Sequence, residues 1–296
     1  MTRASADSLD TRVLNAVTVD VEDWPQSVMD PTLPLTDCFR ANTRKLLAAF
    51  AARSVRGTFF VLGLAADKAP DLVREIQAAG HEIQSHGWGH ELVHTQTPAQ
   101  FRQSVERSKK LLEDITGAAV YGYRAPAFTI TRRTLWALDV LVEAGYRYDS
   151  SIFPKQMPRY GIDGAPRYPH QLHTPAGHTL YEFPVAVYEF AGRRVPVGGG
   201  GYFRLFPYWF LRRGVVQLNA RQQPATIYMH PYEYAPHELS HLGYPVSWKL
   251  WLHQRPGRHR FPGRVDRMLR EFRFGALADV IAATRDWPQH THRPEP

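Results

Sequence analysis

One cysteine, Cys38, in a chain of 296 residues excludes any internal disulfide. That fits a reducing compartment, and nothing around Cys38 suggests a reactive thiol. Long apolar runs are missing too, so no segment reads as a membrane-spanning helix. The stretch Met1–Thr11 carries Arg3, Asp7 and Asp10 and no apolar block, which excludes a secretory signal and makes the cytoplasm the expected location. There is no P-loop, no GxGxxG and no basic tract interleaved with aromatics, so nucleotide-cradling and nucleic-acid-binding modules are excluded. The sequence shows no internal repeat and no linker.

What is present suits a soluble globular chain with a large core: 44% hydrophobic and 22% charged residues. Length and continuity are read as one domain over 1–296, with a core at about 14–235 and a C-terminal basic extension over 236–296. The formal net charge of +8 is uneven. Lys249, Arg255, Arg258, Arg260, Arg264, Arg267, Arg270 and Arg273 crowd the segment 249–273 of that extension, opposed within it only by Asp266 and Glu271. The patch reads as a solvated basic face, or as a surface for an anionic glycan, a lipid-linked phosphate or peripheral membrane contact.

Along the chain, β-branched strand patterns alternate with amphipathic helices. Asn15–Val21 reads as the first strand and 36–53 as a helix. Strands follow at 57–62, 82–86, 120–124 and 146–149, separated by helices at 65–79, 98–116 and 132–144. The rhythm breaks over the Pro-rich loop 151–175. It resumes with a strand or hairpin arm at 180–190, a helix at 206–218, a strand at 225–230 and a closing helix within 271–284. The tail 288–296 reads as frayed, its His290 and His292 too few and too terminal for a metal site. Such alternation implies parallel β/α units around one sheet or barrel.

Strand ends gather on one face of such folds, and here they carry chemistry. The first ends in Asp20, Glu22 and Asp23, three carboxylates that are costly to hold together without a shared cation or proton. The third runs into His86 and His90, two imidazoles four positions apart and close enough to grip one metal. The others end in Arg124, Asp149 and His230. By strand alternation Asp20 and Glu22 share a face; if the strand stops at Val21, Asp23 takes the place of Glu22. His81 and His94 fall outside the spacing and read as structural or surface histidines. The run Gly198–Gly201 reads as a close approach of backbone to a ligand or as a phosphate loop.

Taken in order, Val19-Asp20-Val21-Glu22-Asp23, Ser-His-x-x-x-His at 85–90, Arg-x-Pro-x-Phe at 124–128 and the strand ending in His230 resemble the carbohydrate esterase family 4, or NodB-type, polysaccharide deacetylases. The wording Tyr-Asp-Ser-Ser-Ile-Phe-Pro and Gly-Gly-Gly-Tyr-Phe-Arg resembles a subgroup encoded with bacterial exopolysaccharide and exosortase (PEP-CTERM) systems. The resemblance implies an α/β fold, a single distorted (β/α) barrel of about seven parallel strands with a loop-rich C-terminal extension. It also implies a metal-dependent hydrolase that removes acetyl groups from N-acetylhexosamine units of a glycan or glycolipid.

On that resemblance, one divalent ion, zinc ahead of cobalt or nickel, is held by His86, His90 and Asp23, with Glu22 as the alternative ligand. Asp20 is the base, Arg124 orients it, His230 protonates the leaving amine, and Asp149 holds His230 in its tautomer. Trp88, Pro126, Phe128, Tyr202 and Arg204 are expected to contact the sugar. Two other readings compete: an allantoinase-like amidohydrolase acting on a cyclic or small linear amide, and a non-catalytic glycan-binding module. The acid and histidine set argues against both.

Overall fold

The computed structural model describes residues 13–238 and 245–292. The N-terminal stretch read for a targeting signal lies outside them, as does the end of the tail from 293 on. Strand β1 (Asn15–Val21) is buried along its whole length. It pairs in parallel with β2 (Thr58–Val61), which leads through β3 (Glu82–Ser85) and β4 (Gly122–Tyr123) to β5 (Tyr148–Asp149). Strand β6 (His170–His173) is antiparallel to β7 (Thr179–Glu182), and β7 is parallel to β5. A hairpin of β8 (Val187–Phe190) and β9 (Arg193–Pro196) stands apart as a two-stranded sheet.

Strand β10 (Thr226–Met229) lies on the other side of β1. Just past β7, Val185 forms a parallel bridge to Thr226. The ring β1-β2-β3-β4-β5-β7-β10 therefore closes through one bridge, which is the distorted seven-stranded parallel barrel the sequence implied.

Alternation along β1 sorts the interior from the exterior. Val17, Val19 and Val21 join the outer layer with Phe59, Val61 and the helical residues Leu46 and Phe50. Ala16 instead belongs to an inner cluster with Phe60, Tyr148 and Phe183, plugged by Leu277 and Val280 of the helix Leu277–Ala283. The same parity points Thr18, Asp20 and Glu22 inward, toward the opposite end of the barrel from that plug.

Three local expectations change. The helix expected over 65–79 is two, Gly63–Lys68 and Pro70–Ala78. Pro70 cannot donate a backbone hydrogen bond, so it starts a helix rather than continuing one. The glycine run approaches the protein itself, since a side chain on Gly199 would meet the carbonyl oxygen of Tyr228 on β10 at 2.1 Å. The C-terminal extension is structured rather than loop-rich. It contains the helix Phe261–Glu271, β11 (Phe274–Gly275) beside β1, and β12 (Gln289–Thr291) beside β6.

Much of the basic run in this extension is spent internally. Arg258 is buried and donates to the carbonyl of Tyr232 at 2.9 Å. Arg264 donates to the carbonyls of Phe203 and Arg204. Arg267 and Arg270 pair with Glu271 and Asp266. Among the described residues no helix is long and apolar enough to cross a membrane.

Candidate metal centre and active-site cleft

Glu22, one residue past β1, continues the strand's inward parity. Its Oε2 lies 3.0 Å from His90 Nε2 and 3.4 Å from His86 Nε2. Among the described residues these three form the one group of His, Cys, Asp or Glu whose ligand atoms come together closely enough for a metal ion. His86 follows β3, and its Nδ1 donates to the carbonyl of Arg124 at 2.8 Å, which leaves the Nε2 lone pair aimed at Glu22. His90 is reached through a tight loop in which Gly87 and His90 itself take left-handed backbone (φ 79° and 69°). Glycine accepts that geometry freely, whereas His90 carries strain held by its surroundings.

Glu22 Oε2 is buried without a well-formed hydrogen bond. Two imidazole lone pairs and a carboxylate oxygen converging in a buried site are mutually repulsive unless a cation or proton sits among them. Burial alone would raise the pKa of Glu22, but His90, His230 and His86 outweigh it and hold the carboxyl well below its usual range. The donor set suits a borderline first-row divalent ion.

Asp23, expected ahead of Glu22 for this position, points elsewhere. Its carboxylate accepts from the backbone N–H of Thr36 and from the Thr36 hydroxyl, the latter at 2.9 Å. The reason is the parity of β1: even positions face the barrel interior and Asp23 falls on the outer side. Burial pushes its pKa up despite the Thr36 bonds.

Asp20 sits one turn of the pleat deeper, 2% exposed. Its Oδ1 accepts from Arg124 Nη1 at 2.7 Å, and its Oδ2 is 4.0 Å from His230 Nε2. Arg124 is wholly buried and donates also to Thr18 Oγ1, to the Ser150 carbonyl and to Ser150 Oγ. A guanidinium with every direction occupied fixes the carboxylate it faces.

His230 follows β10. Its Nδ1 is 3.2 Å from Glu233 Oε2, and its ring stacks on Tyr232 at 4.7 Å between centroids. Burial would lower its pKa, but Glu22, Glu233 and Asp20 overcome that and push it up to about 9. Glu233 is in turn 3.2 Å from Arg204 Nε. Asp149 was expected behind His230 and is not there. It accepts from Ser151 and lies opposite Glu182 on β7, and burial raises it to about 6. The end of β5 adjoins β4 and β7, so Asp149 belongs to a different arc of the barrel from His230 on β10.

These groups open into a cleft of about 390 Å³. Of the residues expected to contact sugar, Phe128 lines it, beside Ala127, Tyr160 and Tyr228. Trp88, Pro126, Tyr202 and Arg204 do not line it. Trp88 turns to the far side of the histidine loop, with the Arg107 guanidinium 3.3 Å from its ring. Arg204 is 4% exposed and spent on Glu233 and on the carbonyls of Gln254 and Pro256.

Glu233 and Tyr232 are the residues that sequence reasoning missed. The signal was local: in His-Pro-Tyr-Glu, a proline opens a helical turn that brings the position three beyond His230 back onto its ring. His81 is structural, packed between Phe50 and Phe59, with burial lowering its pKa to about 4.

Residues 29–148 match the family model described as polysaccharide deacetylase, and residues 150–282 match a domain of unknown function, DUF3473. Over that first span the chain is similar to polysaccharide deacetylases. It is similar to a peptidoglycan deacetylase of Helicobacter pylori, 29% identical over 40% of this chain and 39% of that one. It is also similar to the peptidoglycan-N-acetylglucosamine deacetylase PgdA of Listeria monocytogenes, 25% identical over 53% of this chain and 37% of that one. The chain therefore spans under two fifths of the length of either relative.

Among solved structures, a Mycobacterium smegmatis protein ascribed to the polysaccharide deacetylases aligns over 99% of both chains, with TM-score 0.62 and 23% identity. Puue allantoinase aligns over 92% of this chain and 90% of its own, with TM-score 0.61 and 17% identity. At these identities the likeness concerns the fold.

Proposed function

We propose that the protein is a metal-dependent hydrolase that removes acetyl groups from N-acetylhexosamine units of a glycan. The observation that carries the reading is the convergence of Glu22, His86 and His90 beside an Asp20–Arg124 pair and a Glu233-backed His230. Glu22, His86 and His90 would hold one divalent ion, zinc ahead of cobalt or nickel. When bound, such an ion polarises an acyl oxygen and acidifies a water.

The chain's own residues do the rest. Asp20, oriented by Arg124, takes the proton of the water whose oxygen bonds to the acetyl carbon. His230 delivers a proton to the sugar nitrogen as the C–N bond breaks, giving acetate and a free amine. Phe128, Tyr160 and Tyr228 offer ring surface to the sugar. The motif wording shared with exosortase-linked proteins favours a bacterial exopolysaccharide, or its lipid-linked precursor, as the source of the substrate. The presence of Asp20 and Glu22 together on the inner face favours this reading over amidohydrolysis of a small cyclic amide.

The test is acetate release from N-acetylglucosamine oligomers before and after chelation. Release abolished by chelator and restored by zinc is the expected result; release indifferent to chelator would refute the metal reading.

Glu233 gives a second, pH-based expectation. His230 must be protonated to donate, so activity falls as pH rises through its pKa. Metal on Glu22 would cancel part of the attraction that raises that pKa, leaving Glu233 as the main support. Glu233→Gln should therefore shift the alkaline limb of the pH–rate profile to lower pH, with metal content unchanged. A limb that stays in place would remove Glu233 from this role.

A further inference from the structure

Two of the five large apolar side chains that stand exposed among the described residues belong to one short helix, Trp248–Gln254. They are Trp248 and Leu252, 70% and 58% exposed. Positions four and seven apart fall on one side of a helix, so both share an outer face with Arg255. Lys249 is exposed next to them, and Arg260 is exposed in the turn that follows. No aspartate or glutamate occurs from 239 to 265, so every formal charge on this stretch is positive. Arg258 and Arg264 are spent internally, which leaves Lys249, Arg255 and Arg260 as its exposed cations.

The inner face is anchored. Leu250 and Trp251 pack against Trp24 and Tyr232, and so do Val28 and Met29, which line the catalytic cleft. Ser247 caps the helix by accepting from the Leu250 N–H, and buried Arg258 donates to the Gln254 carbonyl at 3.0 Å. The Arg255 guanidinium lies 4.5 Å from the Trp251 ring. The exposed face is thus held in place by the same cluster that supports one lip of the cleft.

A soluble polyanion would satisfy the cations of this face and leave its indole and leucyl surface in water. An anionic bilayer meets both. Its headgroups attract Lys and Arg, and the boundary between headgroups and acyl chains takes up tryptophan and leucine. We propose that the outer face of the helix Trp248–Gln254 docks on an anionic phospholipid surface and sets the adjoining lip of the cleft beside the bilayer. Trp248 and Leu252 enter the headgroup–acyl boundary, while Lys249, Arg255 and Arg260 meet lipid phosphates. The inference goes beyond the deacetylase reading and holds whatever reaction the cleft performs.

The experiment sediments the full chain with vesicles of phosphatidylcholine, alone or mixed with phosphatidylglycerol. The mixed vesicles should bind about tenfold more tightly or better, since each cation at the surface contributes about fivefold. Trp248→Ala/Leu252→Ala should weaken that binding about tenfold through lost apolar burial. Lys249→Gln/Arg255→Gln should remove most of the preference for phosphatidylglycerol, and high salt should do the same in the parent protein. Melting curves check that both double variants are folded. Phospholipid brominated on its acyl chains gives an independent readout: it should quench tryptophan emission in the parent and quench it less in Trp248→Phe.

Equal binding to both kinds of vesicle, binding indifferent to Trp248→Ala/Leu252→Ala, or quenching unchanged in Trp248→Phe would overturn the proposal. Binding to heparin without binding to vesicles would overturn it in favour of an anionic glycan. A dimer in the ultracentrifuge that Trp248→Ala/Leu252→Ala dissociates, with no vesicle binding, would give the face to a second copy. Acetate release without vesicle binding would sink the docking surface and leave the deacetylase reading standing. Vesicle binding without acetate release from any glycan would do the reverse.

Discussion

Asp20→Asn should leave a folded protein that binds metal as the parent does and releases acetate ~10²–10⁴-fold more slowly, the range general-base removal commonly costs. The substitution keeps the shape of the side chain and its capacity to accept from Arg124, so the 2.7 Å contact survives in weaker form. What disappears is the ability to accept a proton. Glu22, His86 and His90 are untouched, and metal content is the control that separates loss of the base from loss of the site. Turnover within a fewfold of the parent would place the base elsewhere.

Arg124→Ala should be the most destabilising single change in the barrel. Arg124 is fully enclosed, its guanidinium carbon 4.4 Å from the centre of the Phe60 ring, and Asp20 is nearly as deep. Removing one partner of a buried pair leaves an uncompensated charge, at a cost of about 3–5 kcal/mol. It also strands the Ser150 carbonyl and Thr18 Oγ1, which Arg124 now satisfies. Thermal or denaturant unfolding measures the loss. Adding Asp20→Asn to Arg124→Ala should recover part of it, because the stranded charge goes too. A double variant less stable than Arg124→Ala alone would show that the pair is not the source of the cost.

How much of this was written in the sequence varies along the chain for physical reasons. The barrel was legible because β1, β2 and β10 are short β-branched or aromatic runs, and the amphipathic helices between them force parallel crossovers. The partnership of Arg124 with Asp20 was legible because Asp20 lies near the end of β1 and Arg124 follows β4, and strand ends share a face. The choice between Glu22 and Asp23 turned on where β1 stops, and strand boundaries are what local patterns specify least. The structure continues the alternation one residue past Val21, enough to send Glu22 in and Asp23 out.

Asp149 and Glu233 show a different limit. Each is a buried carboxylate near a strand end, but Glu233 meets His230 through the local turn Pro231–Tyr234, whereas only the order of strands around the barrel decides that Asp149 does not. That order depends on the long connection from β7 through the β8–β9 hairpin and the helix Tyr208–Asn219 to β10, whose local pattern names elements but not their neighbours in the sheet. The C-terminal extension was misread because its arginines suggested a solvated face. Phe261, Val265, Met268 and Leu269 nonetheless recur at helical spacing and are buried, so a helix with an apolar stripe was legible beneath the charge.

The central claim is that Glu22, with His86 and His90, holds one divalent ion while Asp23 serves the fold. Calorimetric zinc titration of the metal-stripped parent, Glu22→Ala and Asp23→Ala tests it most directly. The account predicts one tight site in the parent, a large loss of affinity in Glu22→Ala, and retained affinity with a lowered melting temperature in Asp23→Ala. Full affinity in Glu22→Ala together with loss in Asp23→Ala would contradict it.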